Sequence, residues 1–439
     1  MSSSDRRVVI TGVGLISPLG HSASDLWTSL SSGTSGVGVI DAIPTDHFPT
    51  DIGGQCSQFN GTADDFGELD KQLKRQIKKT LKLMCRDIKL GVAAAQLAIS
   101  DAGFTEGGYD PTRTGIVFGS DYIITSPEDY TSGIKNCFDD NNNFDMANWP
   151  EKGLPSVEPL WLLKYLPNMP ASHVAIFNDL QGPSNSITVR EASANLSVAE
   201  ATTIIQRGSA DRMIAGATGS RIHPLRTVHL VLQEQLADRN SEAAGGDPAK
   251  ASRPFDSGRN GMVLGEGAAV MILEELSVAQ ARGAKILGEV AGYGSSAVAD
   301  TTGAADYQTA FKNVMLGALE TAGVQASDVG HIHAHGLSSP RVDREEAAAI
   351  REVMGDCPVT AAKSYMGNLG SGGGMVEIIS SLMAMQNDSL FPILNCENLD
   401  ADCPINAVTK PGTSPGDSFV NLNITPQGQA SSVMVKKFV

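Results

Sequence analysis

Any covalent chemistry in this chain would centre on Ser193. It stands in Ile187-Thr188-Val189-Arg190-Glu191-Ala192-Ser193-Ala194-Asn195-Leu196, shortly after Gly182-Pro183-Ser184-Asn185. A β-rich run leads into a small-residue turn, and the turn opens a helical segment from Ser197 to Arg207. The first turn of a helix offers free N–H groups and the positive end of the helix dipole. A thiol placed there ionises readily. A serine hydroxyl does not, and becomes a nucleophile only with an adjacent base.

The rest of the composition narrows the possibilities. The six cysteines, Cys56, Cys85, Cys137, Cys357, Cys396 and Cys403, form no C-x-x-C pair and no zinc spacing. Free thiols in a reducing cytoplasm are expected, with no bound metal. The glycines of Thr11-Gly12-Val13-Gly14 open a dinucleotide-type loop that is not completed, since Leu15-Ile16-Ser17 follows and no acidic residue closes the fingerprint. No cofactor is expected. The net charge of −16 excludes nucleic acid as a partner. One basic run opposes that trend: Lys71, Lys74, Arg75, Lys78, Lys79, Lys82 and Arg86, spaced to share one helix face. Met1 to Arg7 carries charge without a following apolar run, so no secretory leader is expected. No apolar stretch approaches the ~20 residues of a membrane span.

Short apolar strands alternate with helical segments. Strand patterns occur at 7–10, 114–118, 212–217, 263–274, 285–293 and 330–334. Thr11 to Gly14 reads as a tight turn after the first strand. Helical spacing covers 80–101, 307–322 and 341–354, and 126–160 reads as a polar surface excursion. The alternation predicts an α/β fold with largely parallel sheets. No repeat is visible in residue identities.

Five segments, in order across nearly the whole chain, resemble the β-ketoacyl synthases, the condensing enzymes of fatty-acid and polyketide assembly. They are Arg7 to Gly20, Pro167 to Ser193, Arg253-Pro254-Phe255-Asp256 with Arg259 to Gly267, His333-Ala334-His335-Gly336 with Asp343 and Glu346, and Lys363 to Asn368. The resemblance implies a duplicated thiolase-type α-β-α-β-α sandwich, with an N-terminal half over 1–258 and a C-terminal half over 259–439. It implies a part in acyl transfer and condensation on carrier-protein thioesters, and, if the chain is active, an acyltransferase of 3-oxoacyl-carrier-protein synthase type. The family nucleophile is a cysteine, in T-V-x-x-A-C-A, and Ser193 matches it. His335 matches a histidine that stabilises an enolate, Lys363 the lysine that orients the site, and Glu346 the acidic residue near that lysine. His331 and His333 match no functional position and read as structural.

Three departures accompany the match. Ser193 replaces cysteine, Asn368 replaces the second histidine, and the glycine-rich gate loop reads Phe419-Val420-Asn421-Leu422-Asn423. Asn421 is the candidate oxyanion and gate residue. Residues 343–353 and 359–363 also resemble the chain-length factors, which lack the cysteine and pair with an active synthase. The expected partners are an acyl carrier protein and a second subunit, either identical or a cysteine-containing paralogue. The alternatives to acyl transfer by Ser193 are a non-catalytic partner subunit and a malonyl decarboxylase.

Overall fold

A computed structural model describes residues 6–104 and 108–438. Most of the leader segment considered above, residues 1–5, lies outside them. The first half of the chain contributes β1 (Val8–Ile16), a small hairpin of β2 (Val37–Val39) and β3 (Ile52–Gly54), then β4 (Thr114–Ser120), β5 (Ser184–Ile187), β6 (Arg212–Ser220) and β7 (Leu264–Glu275). The second half contributes β8 (Gly288–Ala297), β9 (His331–His333), β10 (Pro358–Thr360), β11 (Asn406–Ala407), β12 (Ser418–Ile424) and β13 (Gln429–Lys436).

The two halves repeat one topology. In the first, the strand order is β1-β7-β6-β4-β5, antiparallel for the first two pairings and parallel for the next two. In the second, β8-β13-β12-β9-β10 runs the same sequence of antiparallel, antiparallel, parallel, parallel. The duplication therefore survives in hydrogen-bond topology without survival of sequence. β1 and β8 meet over Val8–Ile10 and Gly288–Val290. β7 completes the first half, so the break falls between β7 and β8 rather than at residue 258.

Helices Ser193–Gln206 and Gly373–Gln386 touch each other and strands of both halves, and form the central layer. Gly373–Gln386 is buried almost all round, as its continuous apolar and small-residue sequence requires. Helix Arg86–Asp101 covers β1, β6 and β7 on one outside, and helix Tyr307–Ala322 covers β8, β12 and β13 on the other. This is the α-β-α-β-α sandwich.

Two local expectations change. Thr11 to Gly14 is not a turn, because β1 runs straight through it. The glycines are there for space: a Cβ on Gly14 would lie 2.3 Å from Ala94 O and Ala98 N of the covering helix. The basic run is not one helix face either. Helix Lys71–Thr80 ends, a short 3₁₀ turn follows, and Arg86 opens a new helix with its guanidinium bonded to Glu266 and to the Cys56 and Phe59 carbonyls. Lys71, Lys74, Arg75, Lys78, Lys79 and Lys82 remain exposed.

Candidate active site

The elbow between β5 and the central helix differs from the sequence reading. A 3₁₀ turn, Arg190–Ala192, precedes a helix that begins at Ser193 itself, four residues earlier than expected. Ser193 has ordinary helical angles. The unusual residue is Arg190, at φ 45°, a conformation that costs a non-glycine residue energy and is held by its surroundings.

Ser193 is fully buried and its hydroxyl is spent on the backbone. Oγ accepts from Val189 N at 2.8 Å and donates to Ser120 O at 3.3 Å. Its Cβ backs onto Gly119 of β4. Among the described residues no hydrogen bond joins it to His335, to Asn368 or to any other side-chain base. The serine ties the elbow to β4.

The side chain that meets Asn368 is Glu191. Glu191 Oε1 accepts from Asn368 Nδ2 at 3.1 Å and from Arg221 Nη2. Its Oε2 lies 3.5 Å from Arg190 Nε, too poorly aligned for a hydrogen bond, and has no donor. Burial alone would raise this carboxyl, but Arg221 and then Arg190 outweigh burial and hold it near 2. Arg190 also bonds Glu234 Oε1 at 2.8 Å, and Arg221 approaches Glu234 at 3.6 Å and Asp121 at 3.7 Å. The Asn368 amide is fully used: Oδ1 accepts from Gly370 N, and Nδ2 serves Glu191 and the Met262 sulfur.

The second half supplies His335. Burial first, then the Lys363 charge, keeps its imidazole far below the usual histidine range, so it is neutral. Its Nδ1 lies 3.3 Å from Lys363 Nζ and 3.3 Å from Asn423 Oδ1. Asn423 is oriented by Nδ2 donating to Glu377 at 2.8 Å. Nδ1 thus meets a donor, Lys363 Nζ, and an acceptor, Asn423 Oδ1, at equal distance, and Nε2 has no protein partner among the described residues. His335 is a neutral imidazole held by its Nδ1 side.

Lys363 pairs with Glu377, not with Glu346. Glu346 instead accepts the backbone N–H groups of His335 at 2.6 Å and Gly336 at 2.9 Å, fixing the histidine from behind. Burial pushes Glu346 up to about 8. Asn421 is not a gate. It lies inside β12, paired to Val433 and His333 in the ladders, with its amide on Asn195 and Gly374. The end of β12 and the residues just past it, Ile424 to Pro426, line the cavity instead. His331 and His333 hold Ser381, and His333 also accepts from Ala362 N, as structural residues.

A cavity of about 200 Å³ opens over Glu191 and His335, walled by Glu234, Met262, Val342 and Thr425. Ser193 and Asn368 do not line it. Sequence reasoning missed Glu191, Arg221, Glu377 and Asn423. The available signal for Glu191 was an acidic residue in a small-residue turn ahead of a buried helix, where an unpaired charge is costly.

Among the described residues no cluster of three metal-ligating side chains occurs, and no helix is long and apolar enough to cross a membrane. The β-ketoacyl synthase N-terminal domain matches residues 5–279, and the C-terminal domain of the same family matches residues 287–397. The chain is 32% identical over 415 residues to the 3-oxoacyl-[acyl-carrier-protein] synthase 2 of Synechocystis sp., covering 93% of this chain and 92% of that one. Its fold superposes on a β-ketoacyl synthase from Burkholderia phymatum with a TM-score of 0.84 at 25% identity, over 99% of this chain and 100% of that one. The ishigamide ketosynthase/chain length factor gives a TM-score of 0.82 at 24% identity, over 99% and 100%. With both halves of the domain family matched in order on a duplicated five-layer fold, the chain belongs to the β-ketoacyl synthase family.

Proposed function

We propose that this chain serves carrier-protein thioester chemistry of fatty-acid or polyketide type as a non-acylating member of the family, working beside an active synthase as its partner subunit. One observation carries the reading: the Glu191 carboxylate holds the Asn368 donor and faces the cavity with His335. An acyl-transfer site needs a nucleophile there and free donors for the oxyanion. Here the Asn368 donor is already held by a carboxylate that Arg221 and Arg190 keep charged. Transfer by Ser193, the first reading of the sequence, is disfavoured because that hydroxyl already holds Val189 and Ser120. Decarboxylation of a malonyl group is disfavoured because the substrate carboxylate would meet the Glu191 charge.

A dimer fits the open edge of the first sheet. Among the described residues β5 pairs with β4 alone, within the segment Pro167–Ser193 that resembles the family's two-fold interface. The exposed lysines and arginine of helix Lys71–Thr80 suit an acidic carrier protein, against a surface that is otherwise acidic. The test is a condensation assay with malonyl- and acyl-carrier substrates, alone and with a cysteine-containing paralogue. The chain alone gives no product, and product from the chain alone would overturn the reading.

A further inference from the structure

Behind His335 a chain of hydrogen bonds crosses the core in one direction. His331 and His333 stand two residues apart on β9, both fully buried. Ser381, on the central helix Gly373–Gln386, lies between their rings: its Oγ is 3.0 Å from His331 Nε2 and 2.8 Å from His333 Nδ1. On the far side of His331, Nδ1 is 2.7 Å from Pro415 O. On the far side of His333, Nε2 accepts from Ala362 N at 3.1 Å.

The two ends fix every proton between them. A backbone N–H can only donate, so His333 Nε2 holds a lone pair. Burial, above all, keeps His331 near 4 and His333 well below the ordinary 6.5, so each ring is neutral and carries one proton. That of His333 is therefore on Nδ1 and goes to Ser381 Oγ. The hydroxyl proton then goes to His331 Nε2. The His331 proton is left on Nδ1, facing a carbonyl oxygen that can only accept. A donor meets an acceptor at each contact, and the reverse order is impossible.

The chain ends beside Lys363. Ala362 is fully buried, and without His333 its N–H would lose its acceptor, which is costly. At its other end Lys363 is held by Glu377, one helical turn before Ser381 on the same face of the central helix. Its Nζ lies 3.3 Å from His335 Nδ1. One helix face thus governs both the backbone and the ammonium of Lys363. We propose that His333 is a positioning residue for Lys363, and through it for His335, and that Ser381 and His331 hold His333 in the one tautomer that serves this. The role is independent of whether the chain forms product.

The test is NMR on the full chain with its histidine rings labelled with ¹⁵N. In the wild type His331 and His333 both carry the proton on Nδ1, and both N–H protons exchange slowly with water. Ser381→Ala loses both slow protons and shifts the ring nitrogens of His335, which shares no hydrogen bond with Ser381 among the described residues. Ser380→Ala removes the same atom from the neighbouring buried serine, whose hydroxyl is bonded to Val376 O, and leaves His335 in place. A proton on Nε2 of either ring in the wild type would overturn the chain, and that measurement requires no variant to fold. A His335 signal unmoved by Ser381→Ala, or moved equally by Ser380→Ala, would overturn the positioning role.

Discussion

At residue scale the site is decided by which side chain reaches the Asn368 amide, and Glu191 does. The motif match placed Ser193 at the reactive position because composition marks a small-residue turn but not where a helix begins. The 3₁₀ turn Arg190–Ala192 starts the helix early and turns Ser193 toward β4. His335 and Lys363 were legible, since each keeps its neighbours in sequence. Their partners were not, because Glu377 and Asn423 arrive from distant segments. Glu191→Ala leaves Arg221 buried without its closest partner, and removing one member of a buried pair costs about 3–5 kcal/mol, to be read from urea unfolding. Glu346 adds a pH dependence. Its folded value near 8 lies above the ordinary 4.5, so the folded state keeps a proton that the unfolded state releases. Its contribution is full below pH 4.5 and is lost as pH rises to about 8. The urea midpoint should fall over that window, and Glu346→Gln should flatten the fall.

At the scale of elements, strands and helices were readable where periodicity was strong. Helix Tyr307–Ala322 and strands β4, β6 and β7 fall where the pattern put them, to within a few residues. Misreadings arose where a tertiary contact set the local sequence. Gly12 and Gly14 look like a turn but are strand residues thinned for the helix above them. Asn421 looks like a loop residue but belongs to a fully paired strand, where buried asparagines bond to each other. Gly14→Ala should therefore cost about 1–3 kcal/mol or more, the range for an overpacked core. Gly38→Ala on β2, where an added Cβ meets nothing within 4 Å, should be near neutral. Comparing the two urea midpoints separates packing from glycine flexibility.

At the scale of the whole molecule, the duplication was legible only through family motifs, because it persists in strand order and not in residues. Two matching five-strand cores, joined where β1 pairs with β8, back onto a shared layer of two helices, and the site forms where the N-terminus of one central helix faces loops of the second half. That geometry brings Glu191 and His335 from opposite halves to one cavity. The open β5 edge predicts a dimer, homodimeric or with a paralogue, and light scattering at micromolar concentration should report twice the chain mass for one of these. A monomer that binds no paralogue would reject it. The central claim is that position 191, not 193, faces the reactive space. Intact-mass spectrometry after incubation with an acyl-carrier thioester tests it on the wild type, Ser193→Cys and Glu191→Cys. A thiol at 191 stands in the turn leading into a helix, beside Arg190 and Arg221, where the thiolate is favoured. The account predicts an acyl adduct on Glu191→Cys and none on the other two; an adduct on the wild type or on Ser193→Cys, with none on Glu191→Cys, would contradict it.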